Sequence, residues 1–131
     1  MENKTKLPAL RDVGQMAEFE EKPGLELLGF LQFLRSEAVT AITIMREETQ
    51  EALQDGDAWE RIQTIGNLKL RKRKLEQHIR QELQDVREII SSMKGREDKT
   101  VIATLQKEIQ DLVHSVQAAI AEIVEEFGLQ G

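Results

Sequence analysis

The chain contains no cysteine and no tyrosine, and only one tryptophan and two prolines. Without cysteine there is no disulfide, no thiol nucleophile and no thiolate metal ligand. The aromatic share is 4%, so little favours pleated strands. Serines 36, 91, 92 and 115 stand in no nucleophile-elbow context, and there is no glycine-rich phosphate loop. No enzymatic function and no cofactor is expected. A net charge of -6 also argues against a dedicated nucleic-acid binder, which needs a basic surface to neutralise phosphates. The first twenty-two residues hold no apolar run of the kind that forms a signal core. This absence and the lack of cysteine lead us to expect a cytoplasmic setting.

What the chain does have is helix. Apolar residues make up 40% and charged residues 32% of its 131 positions, as in long helices with one solvated face. The densest apolar stretch is Leu25 to Leu34, with Leu25, Leu27, Leu28, Phe30, Leu31, Phe33 and Leu34 on every side of a helix. Glu26, Gln32 and Arg35 interrupt it too early for a membrane span. A first helix is predicted from about Leu25 to Gln54. Its later half is amphipathic, with Ala38, Ile42, Met45, Ala52 and Leu53 inward. Asp55-Gly56-Asp57 ends it, Gly56 suiting a left-handed position. Asp57 with Glu60 makes a capping-box pair for a second helix, Ala58 to about Lys94. The expected seam of that helix is Trp59, Ile62, Ile65, Leu68, Leu75, Ile79, Val86, Ile89, Ile90 and Met93, interrupted by Lys72 and Glu82. Gly95 stops it, and Asp98 caps a third helix, Lys99 to Phe127, with the heptad seam Ile102, Leu105, Ile109, Leu112, Val116, Ala119 and Ile123. Gly128 closes it.

The fold expected is all-α: an elongated antiparallel bundle of three long helices over residues 25–128, with an N-terminal arm over 1–24, and with dimerisation as a way to complete a wider bundle. In the arm, Leu7, Leu10, Val13, Met16 and Phe19 recur every three residues, which fits either a loose arm or a short helix over the apolar collar.

Seven apolar residues in ten exceed what a core-facing stripe needs. Leu27, Leu28, Phe30, Leu31, Phe33 and Leu34 are therefore candidate partner-binding residues, with Phe30 and Phe33 as the anchor. Lys69, Arg71, Lys72, Arg73 and Lys74 form a basic run. The segment 57–95 carries nine basic and six acidic residues (+3), and the rest of the chain nine and eighteen (-9). Either the run pairs with Glu122, Glu125 and Glu126 across the bundle, or it meets an anionic partner protein or nucleic acid. His78 and His114 fall at one level of the folded hairpin, but with no set of inward carboxylates around them no metal site is expected. Gly29 and Gly66 sit inside helices, and Gly66 is expected to make room for Phe127 or for the close approach of a helix.

Leu25 to Leu34, Glu51-Ala52-Leu53, Gly56-Asp57, and then Ile62, Ile65, Leu68, Lys72 and Leu75 resemble the first two helices of flagellar export chaperones of the FlgN type. The resemblance spans about half the chain. It implies a helical bundle that shields an amphipathic helix of a secreted subunit, and it assigns no individual residue a role. From the residues and the resemblance together, the expected function is that of a chaperone or adaptor. It would hold an amphipathic partner helix against the first helix, with a self-assembling scaffold as the competing class. The expected partner is another protein or a second copy of the chain in a homo-oligomer.

Overall fold

A computed structural model of the protein describes residues 23–129. The arm with Leu7, Leu10, Val13, Met16 and Phe19 lies outside the described residues. Three helices follow one another: α1 Pro23–Asp55, α2 Ala58–Met93 and α3 Lys99–Phe127. No strand occurs among the described residues. The all-α bundle of three long helices is the observed fold. At 1.5 Å per residue, α1 is roughly 50 Å long.

The turns are built by side chains that satisfy helix ends. At the start of α2, the Asp57 carboxylate accepts from the Glu60 N–H at 2.8 Å, and the Asp57 N–H donates to Glu60 Oε1 at 3.0 Å. This reciprocal pair supplies partners to donors that the first helical turn leaves free. Asp98 caps α3 by accepting from the Thr100 N–H at 2.8 Å. Gly95 (φ 90°) and Gly128 (φ 65°) take the left-handed backbone at the ends of α2 and α3. Beyond Gly128 the chain folds back, the Leu129 N–H donating to the Val124 carbonyl while the Leu129 side chain is buried.

Gly56 departs from expectation, because its φ is not positive. It serves a tight approach instead: a Cβ there would lie 3.2 Å from Glu60 Cβ and 3.3 Å from the Ala52 carbonyl oxygen. A close approach that the sequence does not advertise occurs at Gly24, where a Cβ would meet Val101 Cγ1 at 2.6 Å. The start of α1 is thereby seated directly on the first turn of α3. Gly66 does not make room for Phe127, since a Cβ added there meets nothing within 4 Å.

The core is one continuous seam. In α1 it runs Leu27, Leu31, Leu34, Ala38, Ile42, Met45 and then Thr49, in steps of three and four. Ala52, expected inward, is exposed, and Leu53 is half-buried. In α2 the buried positions are Leu68, Ile79, Glu82, Leu83, Val86, Ile90 and Met93, and in α3 Leu105, Ile109, Leu112, Val116, Ile120 and Ile123. Trp59 and Ile62, expected in the α2 seam, are 66% and 65% exposed. They lie on the side of α2 opposite Leu68 and Ile79. α1 is the central element: α2 and α3 each pack more extensively on it than on one another.

Candidate functional site

His78 and His114 are exposed, and no group of three or more His, Cys, Asp or Glu is placed to hold a metal ion among the described residues. Glu82 is the one charged side chain drawn into the described core, 7% exposed. Its Oε2 lies 4.0 Å from His78 Nδ1, and its Oε1 has no hydrogen-bond partner among the described residues. A single such carboxylate in an apolar seam is costly to bury.

The apolar collar divides into two sets. Leu27, Leu31 and Leu34 are core residues, so they are not available as a docking surface. The amphipathic phase of Ala38, Ile42 and Met45, continued backward by steps of four and three, selects these three leucines. Leu28 and Phe30 are half-buried and pack against the same core. Phe33 is 55% exposed and Leu25 65% exposed. The expected Phe30–Phe33 anchor is therefore split, Phe33 facing outward and Phe30 mostly committed to the bundle.

The surface that remains is unusual in what it lacks. Between Leu25 and Ile44, the exposed residues of α1 are Leu25, Gly29, Gln32, Phe33, Ser36, Glu37, Val39, Thr40, Thr43 and Ile44, and Glu37 alone among them carries charge. Large apolar groups at Leu25, Phe33, Val39 and Ile44 stand among small or neutral ones, and a Cβ at Gly29 would meet nothing within 4 Å. From Arg46 onward, by contrast, the exposed positions are mostly charged or amide: Arg46, Glu47, Glu48, Gln50, Glu51, Gln54 and Asp55. The neutral face is also why α1 is long and apolar enough to cross a membrane by length and composition, with a window of mean hydropathy 1.3 within Gly24–Asp55, 28% of it buried in the bundle. The sequence expectation of no span rested on Glu26, Gln32 and Arg35; mostly buried core helices of bundles reach the same hydropathy, whereas 28% of this window is buried.

Among the described residues, no ion pair joins the basic run to Glu122, Glu125 or Glu126. Arg71 Nη1 pairs with Glu48 Oε1 of α1 at 2.9 Å, and Lys72 Nζ with Glu76 Oε1 one turn along α2 at 3.3 Å. Glu126 is taken by α1 instead, from Arg46 Nε at 2.6 Å and from Gln50 Nε2. The cause is the central position of α1: α2 and α3 lie on its two flanks, so their charged sides meet α1 before they meet each other. The expected level of the helices does hold, since Lys72 and Glu76 line one groove with Gln117, Ala121 and Glu125. Lys69, Arg73 and Lys74 stay exposed.

Comparison of the chain with protein-family models, with curated proteins and with solved structures finds no match in any of the three.

Proposed function

We propose that the protein is a non-enzymatic helical binding protein, a chaperone or adaptor that holds an amphipathic helix of another protein against the outward face of α1. The observation that carries this reading is the neutral face from Leu25 to Ile44, with Leu25 and Phe33 exposed on it. Water-facing helix surfaces are ordinarily charged, and this chain is 32% charged overall. Contiguous apolar surface left open to water marks sites of association. A partner helix can lay its apolar stripe along Leu25, Phe33, Val39 and Ile44, one helix face against another. Gly29, Ser36 and Thr40 leave space for its backbone to come close. The resemblance to FlgN-type chaperones points the same way, with a secreted subunit as client and the cytoplasm as setting.

The test is co-purification from the native cell with wild type and with the double variant Leu25→Ser/Phe33→Ser. The reading requires that the double variant keep the helical spectrum of the wild type and lose a protein that the wild type retains. Retention of that protein by the double variant counts against this face. Partition of the wild type into lipid vesicles, abolished by the same two substitutions, would replace the partner helix by a bilayer.

A further inference from the structure

A second exposed apolar stripe lies on α2, away from the face of α1. Its residues are Trp59, Ile62, Gly66, Leu70 and Arg73, on the side of α2 opposite the core. The three large apolar ones are 66%, 65% and 48% exposed in that order. Their spacing is 3, 4, 4, 3, which places all five on one helical face. The same spacing reads identically from either end, with Gly66 at the centre.

We propose that this stripe is a self-association face, on which a second copy of the chain packs antiparallel about a two-fold axis at Gly66. In that arrangement residue 66 plus n of one copy lies opposite residue 66 minus n of the other. Leu70 then faces Ile62 of the second copy, and Ile62 faces its Leu70. Arg73 lies opposite Trp59 on both sides of the axis, so each guanidinium can sit on an indole face. A two-fold contact must be self-complementary, and this sequence is so at every one of the five positions. Gly66 is the point where the helices cross. A Cβ there would meet nothing of its own chain within 4 Å, so the glycine is not explained by the fold. In a helix interior it is costly relative to alanine. A close crossing of two backbones explains it.

Charge supports the antiparallel sense. The start of α2 and the turn before it carry Asp55, Asp57 and Glu60 against the one base Arg61, while one to two turns past Gly66 come Lys69, Lys72, Arg73 and Lys74. Antiparallel packing about Gly66 brings the acidic end of each copy to the basic run of the other. Parallel packing would set basic run against basic run. The basic run thereby gains a role that Arg71–Glu48 and Lys72–Glu76 leave open for Arg73 and Lys74. Trp and Arg are also the residue types that dominate contact energies at protein interfaces.

The experiment is sedimentation velocity of the full chain over a concentration series of about 1–200 μM, with emission of the single tryptophan as a second readout. Wild type should form a dimer, with Trp59 emission moving to shorter wavelength as it assembles. Gly66→Gln, which suits a helix and whose Cβ would meet nothing of its own chain within 4 Å, should keep the circular dichroism spectrum and raise the dissociation constant by roughly tenfold or more. Arg73→Glu should also weaken the dimer, whereas Leu25→Ser/Phe33→Ser should leave it intact, separating this face from the one on α1. Because the chain lacks cysteine, the axis can be mapped directly. With a short bismaleimide, Ile62→Cys should cross-link to Leu70→Cys in preference to itself. A wild type that is monomeric throughout, a Gly66→Gln dimer of unchanged strength, or preferential Ile62→Cys self-linkage would each overturn the proposal.

Discussion

Phe33 and Leu31 are two residues apart and both were candidates for one binding surface, yet the structure gives them opposite duties. Leu31 is completely buried and Phe33 is 55% exposed. Truncating each to alanine therefore separates core from surface. Leu31→Ala removes a side chain from the seam between α1 and its neighbours and leaves a cavity, at a cost of about 2–5 kcal/mol. Fully burying a phenylalanine is worth about 1.5–3 kcal/mol, and Phe33 is buried by less than half, so Phe33→Ala should cost about 1 kcal/mol. Domains of this kind are stable by only about 5–15 kcal/mol in total, so the two outcomes are easily told apart. In urea, with a slope of about 2 kcal/mol per M, Phe33→Ala should shift the midpoint by about 0.5 M and Leu31→Ala by 1 M or more. Equal shifts, or a Phe33→Ala loss of about 3–5 kcal/mol as for a core phenylalanine, would refute the division of the collar.

Three further outcomes follow from particular contacts. Glu82→Leu should stabilise the chain by about 1–3 kcal/mol, measured as a higher denaturation midpoint, because it removes a buried carboxylate oxygen without a partner. Gly24→Ala should cost about 1–3 kcal/mol through its clash with Val101, and the loss should be partly recovered in the double variant Gly24→Ala/Val101→Ala, as read in a double-mutant cycle. Arg71→Glu should cost no more than about 1 kcal/mol, since its pair with Glu48 is exposed, and adding Glu48→Arg should restore most of that loss.

Much of the fold was legible because the signals were local. The caps at Asp57 and Asp98, the helix stops at Gly95 and Gly128, and the heptad of α3 each rest on residues close together in the chain. The later half of α1 was equally plain in Ala38, Ile42 and Met45. The collar was harder, because where nearly every residue is apolar, composition no longer says which side faces in. Only the phase carried back from Met45 picks out Leu27, Leu31 and Leu34. The start of α2 misled for a related reason: Trp59 and Ile62 are apolar at helical spacing, but their phase runs opposite to Leu68, Ile79 and Val86. The partners of Arg71 and Glu126 depend on which helix stands between the other two, and a hairpin count along the sequence places levels but not flanks. The close seat of Gly24 on Val101 joins residues on different helices and left no local mark.

We propose above that the outward face of α1 is covered by another protein. The measurement that tests it most directly compares wild type with Leu25→Ser/Phe33→Ser, first by circular dichroism and then by co-purification from the native cell. The account predicts a variant with wild-type helical content that no longer brings down a protein retained by the wild type. A variant that unfolds, or one that retains the same partner, would contradict it.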